Sequence, residues 1–236
     1  MQVAIVAGGG SGIGAAIARA LGAAGCHVVV ADVDRDRASA VAATIASAEA
    51  DWVDATDEAS AAGLAERRAR VDTLVSAVGG TTPAPFAELT LAGWERAVAL
   101  NLTSAFLLSR ALLPALRRSD RGAIVFVGSN VAATGQAGRV AYGAAKAGLT
   151  GLARSLALEV AGDGITVNVV APGPTLTPRV QAIVPEGDWA ALAAATPLGR
   201  VGEPEDCAGL VALLASPSGR FITGQTIHVS GGLVMA

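Results

Sequence analysis

Residues 7–14 read Ala7-Gly8-Gly9-Gly10-Ser11-Gly12-Ile13-Gly14, and they stand between the β-branched run Val3–Ala7 and an apolar helical pattern. Glycine lets the backbone turn sharply and approach a diphosphate closely, and the first turn of the following helix offers free N–H groups to that anion. A glycine triplet alone is also compatible with a simple strand–helix turn. Its context favours a dinucleotide-binding loop, with Gly8, Ser11, Gly12, Ile13 and Gly14 at the cofactor.

Short strand patterns alternate with longer helical patterns along the rest of the chain. The predicted strands are Val3–Ala7, His27–Ala31, Trp52–Val53, Thr73–Ala77, Ala123–Val127, Thr166–Val170 and Thr226–Val229. The predicted helices are Gly12–Ala24, Asp36–Ser47, Asp57–Arg68, Leu91–Arg117, Tyr142–Val160 and Pro204–Leu214. This alternation predicts one α/β domain, residues 1–236, with a doubly wound, Rossmann-type parallel sheet of about seven strands and helices on both faces. The long irregular stretch Pro172–Gly202 predicts a substrate lid at about residues 174–202. Within it, Asp188–Ala195 is a short apolar helical stretch, where Trp189 is expected to pack in the lid.

An acidic residue ends the second predicted strand. Asp32 follows Gly14 by 18 residues, where a carboxylate can accept hydrogen bonds from the adenosine ribose and repel a 2′-phosphate. This placement favours NAD as the cofactor. Arg35 and Arg37 lie close by, and arginine is the residue that a 2′-phosphate prefers. An NADP(H)-dependent ketoreductase is therefore an alternative.

Three polar residues form a second group. Ser129 ends the fifth predicted strand, and Tyr142, the chain's only tyrosine, precedes Lys146 by four residues. Residues four apart lie on one face of a helix. A neighbouring ammonium stabilises a phenolate and lowers the pKa of the phenol, which suits it to proton transfer. Ser129 can donate a hydrogen bond to a substrate oxygen beside the tyrosine.

Composition excludes several other classes of protein. Hydrophobic residues make up 52 % of the chain and charged residues 16 %, which is too apolar for a disordered protein. The net charge is −3 and no Lys/Arg run occurs, so nothing attracts nucleic acid or anionic membrane. Cys26 and Cys207 fit neither a disulfide framework nor a metal site. No window has about 20 consecutive apolar residues, and the N-terminus lacks a basic signal region. We therefore expect a cytoplasmic protein without a metal.

In order along the chain, these motifs resemble the short-chain dehydrogenase/reductase family in its compact single-domain branch. The resemblance rests on Gly8-x-x-x-Gly12-x-Gly14, Asp32, Asp54, Leu100-Asn101, Ser129, Tyr142-x-x-x-Lys146, Pro172-Gly173, Thr223-Gly224-Gln225 and Ser230-Gly231-Gly232. It covers nearly the whole chain. It implies an NAD-dependent oxidoreductase that interconverts a secondary alcohol and a ketone, acts on a small molecule, and assembles as a homotetramer through the two long helices and the C-terminal segment.

The resemblance also implies a role for individual residues. Tyr142 would be the general acid/base, and Ser129 would orient the substrate oxygen. Lys146 would lower the tyrosine pKa and bond the nicotinamide ribose, while Asn101 would bend its helix and hold a relay water. Further cofactor contacts would come from Asp54 and Ala55 at the adenine, from Pro172 and Gly173, and from Thr175 and Thr177 at the carboxamide. Gln136, Arg139 and Arg179 are candidate polar contacts to the substrate.

Two segments depart from the family pattern. Ala7 replaces a threonine before the first glycine, and Ser76-Ala77-Val78-Gly79 replaces Asn-Asn-Ala-Gly. Both partners of one polar tie are altered together, so we expect an apolar contact to replace it and cofactor binding to survive. A non-catalytic NAD-binding subunit and a lyase-type enzyme are the alternatives. Such subunits usually lose the Ser, Tyr or Lys, and halohydrin dehalogenases lack the glycine loop; this chain keeps all of them.

Overall fold

Seven parallel strands form the centre of the protein. A computed structural model describes residues 1–235. The strands are β1 Val3–Ala7, β2 His27–Asp32, β3 Ala48–Trp52, β4 Thr73–Ser76, β5 Ala123–Val127, β6 Thr166–Pro172 and β7 Thr226–Val229. They lie in the order β3-β2-β1-β4-β5-β6-β7, and every pairing between neighbours is parallel. The predicted doubly wound α/β fold is confirmed.

Helices connect the strands. They are α1 Gly12–Ala23, α2 Arg35–Ala42, α3 Glu58–Glu66, α4 Leu91–Val98, α5 Ser104–Leu116, α6 Val131–Thr134, α7 Val140–Val160, α8 Pro178–Gln181, α9 Trp189–Ala195 and α10 Pro204–Ala215. Two helices begin at residues that favour a helix start. The Asp57 side chain accepts a hydrogen bond from Ser60 N–H at the start of α3, and Pro204 occupies the first turn of α10.

Alternate side chains of each strand enter opposite cores. On one face, Ile5, Val29, Leu74 and Phe126 pack with α3, α5 and α7. On the other, strand residues such as Val6 and Val30 pack with α1, α2 and α10. Strands buried on both faces need continuous apolar runs, which is why β1, β2 and β5 were evident in the sequence.

The third strand was predicted in the wrong place. A strand was expected at Trp52–Val53, whereas β3 is Ala48–Trp52. The preceding helix, predicted as Asp36–Ser47, ends earlier than expected, at Ala42. β3 pairs only with β2 at the sheet edge. An edge strand half open to water can carry charged residues such as Glu49 and Asp51, so it lacks the apolar run that identifies a buried strand.

A π-helical turn, Ala99–Thr103, joins α4 to α5, so that residues 91–116 form one long helix. By length and composition alone this helix, with a mean hydropathy of 1.4, is long and apolar enough to cross a membrane, which the sequence analysis did not expect. A core helix passes the same test. Here Leu108, Leu112 and Leu116 are fully buried in the core beside the sheet.

Both cysteines are free and buried. Burial raises the pKa of each thiol, and that of Cys207 reaches about 12. Thiols that stay protonated are poor nucleophiles, so their packing role in the core is the one the environment supports.

Candidate active site

A cavity of about 770 Å³ opens at the carboxyl ends of the strands. It lies where the strand order reverses between β1 and β4, the position at which open α/β sheets bind ligands. Nearly all the predicted site residues line it: Gly8, Ser11, Gly12, Ile13, Gly14, Asp32, Asp54, Ala55, Ser129, Tyr142, Lys146, Pro172, Gly173, Thr175 and Thr177. Asn101 is the exception, because it is buried behind the cavity wall.

The glycine loop fits tightly against its surroundings. A Cβ on Gly8, whose φ is +75°, would come within 2.8 Å of the Ala77 backbone. A Cβ on Gly14 would overlap the Gly8 carbonyl. The loop therefore requires glycine at both positions. Ser11 precedes α1 without a side-chain capping bond, and the first turn of α1 has no acidic residue. The N–H groups at this helix start thus face the cavity uncompensated, as a diphosphate site requires.

Asp32 is fixed at the wall of the cavity beside the loop. One carboxylate oxygen accepts from Gly10 N–H at 2.9 Å, and the other accepts from Asp34 N–H at 3.1 Å. Each oxygen retains a free lone pair. Of the two nearby arginines, only Arg37 lines the cavity, and it forms an ion pair with Asp34 at 3.0 Å.

The remaining predicted cofactor contacts line other parts of the cavity. Asp54 accepts from the backbone N–H and the hydroxyl of Thr56, so one of its oxygens is already engaged. Thr177 caps α8 by accepting from Val180 N–H, and its side chain packs over Gly12. Thr175 is buried and pairs with Gly202 in an isolated parallel bridge. This bridge joins the two ends of the segment 176–201. The segment contains α9, where a helical stretch was predicted, and α8, which was not predicted.

Ser129, Tyr142 and Lys146 meet at the other end. Ser129 follows β5, and its Oγ accepts from Val131 N–H at 3.2 Å, while its hydroxyl lies beside Tyr142. Tyr142 and Lys146 share one face of α7, with Lys146 Nζ 6.0 Å from the centre of the phenol ring. The ammonium is 4 % exposed and donates to the Val127 carbonyl at 2.8 Å. Lys146 is also the only lysine in the chain.

The electrostatics of this group differ from the sequence expectation. The pKa of Tyr142 is raised rather than lowered, because burial outweighs the effects of the nearby Ser129 hydroxyl and the Arg139 and Arg179 charges, which lower it. Burial and the charge of Arg179 lower the pKa of Lys146 to about 8. Without ligands, the site therefore holds a protonated phenol beside an ammonium that titrates close to neutral pH.

Asn101 lies in the π-helical turn, as the predicted helix distortion requires. Its Nδ2 donates to the carbonyls of Gly80 at 2.8 Å and Ala97 at 2.9 Å, and its Oδ1 accepts from Gly80 N–H at 3.0 Å. Asn101 Oδ1 and Lys146 Nζ both lie within 3 Å of the point where a Cβ on Gly79 would stand, at 2.8 and 2.9 Å. Gly79 thus lets the amide and the ammonium approach one another.

The two departures from the family pattern face each other. Ala7 is fully buried, and Val78 packs against the same core cluster. The Ala7 carbonyl accepts from Ala77 N–H at 2.8 Å. The backbone tie between β1 and the segment after β4 is therefore retained, while the side chains beside it are apolar.

The substrate-contact candidates Gln136, Arg139 and Arg179 all line the cavity. Sequence reasoning missed Val33, Val53 and Thr56 on its adenosine side. Each is adjacent or nearly adjacent to Asp32 or Asp54. Their position at the carboxyl ends of strands could therefore have identified them in the sequence as cavity residues. Among residues 1–235, no group of three His, Cys, Asp or Glu side chains is arranged to hold a metal.

Comparisons with known proteins identify relatives over nearly the whole chain. A family profile described as "Enoyl-(Acyl carrier protein) reductase" matches residues 7–234. A cis-4-hydroxycyclohexanecarboxylate dehydrogenase of Sinomonas cyclohexanicum is 42 % identical, over 98 % of this chain and 96 % of that protein. The 3-oxoacyl-[acyl-carrier-protein] reductase FabG of Escherichia coli K12 is 38 % identical, over 99 % and 98 %. A crystal structure of a short-chain dehydrogenase/reductase (glucose/ribitol dehydrogenase) from Brucella melitensis superposes with a TM-score of 0.93 at 34 % identity, covering 100 % of this chain and 97 % of that one.

Proposed function

This chain belongs to the short-chain dehydrogenase/reductase family of nicotinamide-dependent oxidoreductases, and we propose that it interconverts a secondary alcohol and a ketone with NAD(H), using Tyr142 as general acid/base. The observation that carries the proposal is the convergence of Ser129, Tyr142 and Lys146 on the same cavity as the glycine loop and Asp32. When bound, the nicotinamide supplies the hydride acceptor or donor.

The adenosine end supports NAD. The backbone N–H groups at the start of α1 would hold the diphosphate, with Gly8, Ser11, Gly12, Ile13 and Gly14 around it. Asp32 would accept from the ribose hydroxyls through the lone pairs that Gly10 and Asp34 leave free. Its fixed negative charge would repel a 2′-phosphate. Asp54 and Ala55 would border the adenine, and Pro172, Gly173, Thr175 and Thr177 would lie along the nicotinamide half.

An NADP(H)-dependent ketoreductase is the second candidate, and Arg37 is the observation that favours it. Its guanidinium lines the cavity next to Asp32, and its side chain is 65 % exposed while it pairs with Asp34. A surface ion pair of this kind contributes little energy, so a 2′-phosphate could compete for the arginine. Asp32 is nearer the loop and is held by two backbone bonds, which is why we favour NAD.

At the reacting end, Tyr142 is placed to move the proton. Its raised pKa makes the phenol the resting form, which can donate to the substrate oxygen during reduction. Oxidation requires the phenolate, so the phenol would first release its proton to solvent, with the ammonium of Lys146 stabilising the phenolate. The phenolate oxygen would then take the proton from the alcohol. Ser129, whose hydroxyl lies beside Tyr142, would donate to the substrate oxygen. Asn101, held beside Lys146 at Gly79, would position a water that links the ammonium to solvent.

The residues that close the cavity indicate a small to medium, mainly apolar substrate. Val131, Val180, Ile183, Val184, Leu192 and Ala195 line it together with the reacting group. Five of these belong to α9 or to the segment at α8, so we propose that residues 174–202 act as a substrate lid within a single domain. The names of the relatives describe a cyclic hydroxy acid and a 3-oxoacyl thioester, and NAD use would favour oxidation of a cyclic or acyclic secondary alcohol.

We further propose a cytoplasmic homotetramer formed through α4, α5, α7 and the C-terminal segment. Large apolar side chains on these elements, including Phe106 and Leu158, are exposed in the isolated chain. Light scattering would test the assembly, and a monomer would contradict it.

The test of the function is a screen of secondary alcohols with NAD and with NADP, followed by the absorbance of the reduced nicotinamide. We expect turnover with at least one cyclic or hydroxyacyl alcohol and higher kcat/KM with NAD. No turnover with either cofactor across the screen would overturn the proposal, and higher kcat/KM with NADP would select the second candidate.

A further inference from the structure

Two guanidinium groups stand at the reacting end of the cavity. Arg139 immediately precedes α7, three residues before Tyr142, and Arg179 lies on α8 in the lid. Both line the cavity, and both lie near enough to Tyr142 for their charges to act on the phenol. They approach the cavity from different elements, the start of α7 and the lid helix α8.

Neither arginine has an acidic partner among residues 1–235. Seven other arginines form ion pairs with carboxylates there, namely Arg37, Arg67, Arg68, Arg70, Arg110, Arg117 and Arg200. The three acidic residues that line the cavity, Asp32, Asp34 and Asp54, all belong to its adenosine end. The reacting end therefore carries positive charge alone, since Lys146 is there as well. A cleft lined by one sign of charge attracts ligands of the opposite sign.

The bond that Arg179 does make is to a neutral acceptor. Its Nη1 donates to the Gly79 carbonyl on the cavity floor, and its guanidinium lies over Gly80, where a Cβ would overlap it. A carboxylate is a stronger acceptor than a backbone carbonyl, because charge-assisted hydrogen bonds are roughly twice as strong as neutral ones. An anionic ligand would therefore draw Arg179 from Gly79, and the planar guanidinium can bind it through two parallel bonds.

We propose that Arg139 and Arg179 bind a carboxylate carried by the substrate, so that this enzyme acts on hydroxy acids and keto acids in preference to neutral alcohols. The inference rests on the proposed function and names its substrate class. The carboxylate lies a ring or a short chain away from the reacting carbon, since Arg139 is about one helical turn from Tyr142. The apolar side chains of the lid, such as Ile183 and Leu192, cover the hydrocarbon between the two groups.

Kinetics with a matched pair of substrates test this directly. The pair is 4-hydroxycyclohexanecarboxylate and its carboxamide, which keep the same ring and differ in charge. For each variant the measured quantity is the ratio of kcat/KM for the acid to that for the amide, with the preferred cofactor saturating. We expect the wild-type ratio to exceed one, and Arg179→Met and Arg139→Gln each to lower it about tenfold or more, the usual effect of one charged hydrogen bond.

Two further variants separate charge recognition from other effects. Arg220→Gln removes an exposed arginine outside the cavity and should leave the ratio unchanged. Gly80→Ala keeps all charges and only displaces the Arg179 guanidinium from its resting place over Gly80, so its ratio should stay above one, unlike that of Arg179→Met. Turnover of 4-hydroxycyclohexyl phosphate shows which anion the arginines prefer. Turnover below that of the carboxylate supports the proposal, and turnover above it overturns the carboxylate assignment.

The failure of this inference differs from failure of the proposed function. Equal turnover of acid and amide, with a ratio that neither arginine variant changes, would overturn the inference while the oxidoreductase assignment stood. Calorimetric titration of cyclohexanecarboxylate and cyclohexanecarboxamide into the NAD-loaded protein needs no turnover. Tighter binding of the acid, weakened by Arg179→Met, supports the inference, and equal binding overturns it.

Discussion

Replacing Lys146 by methionine should stabilise the protein while it destroys the proposed proton-transfer site. The ammonium is buried, and its pKa falls from 10.5 to about 8. In the unfolded chain the lysine keeps its ordinary pKa, so at pH 7 the folded state holds a charge that its surroundings disfavour. A shift of about 2.5 units corresponds to about 3 kcal/mol. Loss of the bond from Nζ to the Val127 carbonyl offsets about 1 kcal/mol.

The expected net gain at pH 7 is about 2 kcal/mol, or about 4–8 °C in melting temperature for a chain of this size. The sign depends on pH. Between pH 8 and 10.5 the unfolded chain binds the lysine proton and the folded protein does not, so the stability contributed by this group rises with pH. At pH 10 the remaining cost of the lysine is below about 1 kcal/mol, and the advantage of methionine should disappear.

Melting temperatures of wild type and Lys146→Met at pH 7 and pH 10 provide the assay. Arg220→Met, which removes an exposed charge, is the control and should show the same small difference at both pH values. Because Lys146 is the only lysine, side-chain NMR of lysine-labelled protein follows it alone, with an expected midpoint near pH 8. A midpoint near pH 10.5 would refute the reasoning. So would a difference in melting temperature between Lys146→Met and wild type that is no larger at pH 7 than at pH 10.

Three further predictions concern single residues. Asp32→Ala should lower the ratio of kcat/KM for NAD to that for NADP by about tenfold or more, since it removes both the ribose acceptor and the repulsive charge. Asp36→Ala, at an exposed position of α2, is the control. An unchanged ratio after Asp32→Ala would rule out the assigned role. Tyr142 is the only tyrosine, so phenolate absorbance in a pH titration reports its ionisation alone. Its pKa should lie above 10 in the ligand-free protein and rise further in Arg179→Met. Ionisation below pH 10 would contradict the dominant effect of burial. Ala7→Thr should give no gain in melting temperature, because the added hydroxyl would be buried among apolar side chains; a gain of several degrees would show that the polar tie is still missed.

Buried strands were predictable from sequence, and one of the two edge strands was not. The runs at β1 and β5 were predicted with their observed bounds because their position inside the sheet dictates an apolar run. The edge strand β7 was also predicted with its observed bounds, although its residues are only half-buried. β3 was misplaced because an edge strand tolerates Glu49 and Asp51. The lid was identified by its length, and the helical stretch predicted at Asp188–Ala195 matches α9. The four-residue α8 was not predicted, since it carries too few apolar positions to show a period.

The positions of the site residues were more predictable than their electrostatics. Strand ends and helix spacing brought Asp32, Ser129, Tyr142 and Lys146 into one cavity as expected. The direction of the Tyr142 pKa shift was wrong, because sequence spacing shows that an ammonium is near but not how deeply both groups are buried. The proximity of Arg179 to Lys146 arises from the folding of the lid over Gly79, a long-range contact that no local pattern contains.

The central claim is that Tyr142 transfers the proton in a reaction for which the rest of the chain holds the cofactor and the substrate. Tyr142→Phe removes one hydroxyl from an otherwise unchanged cavity, so its turnover and its NAD binding, measured on the same preparation, test the claim most directly. We predict a fall in kcat of about 10²-fold to 10⁴-fold with the Kd for NAD unchanged within about twofold. A variant that keeps near wild-type kcat with the best alcohol would contradict the account.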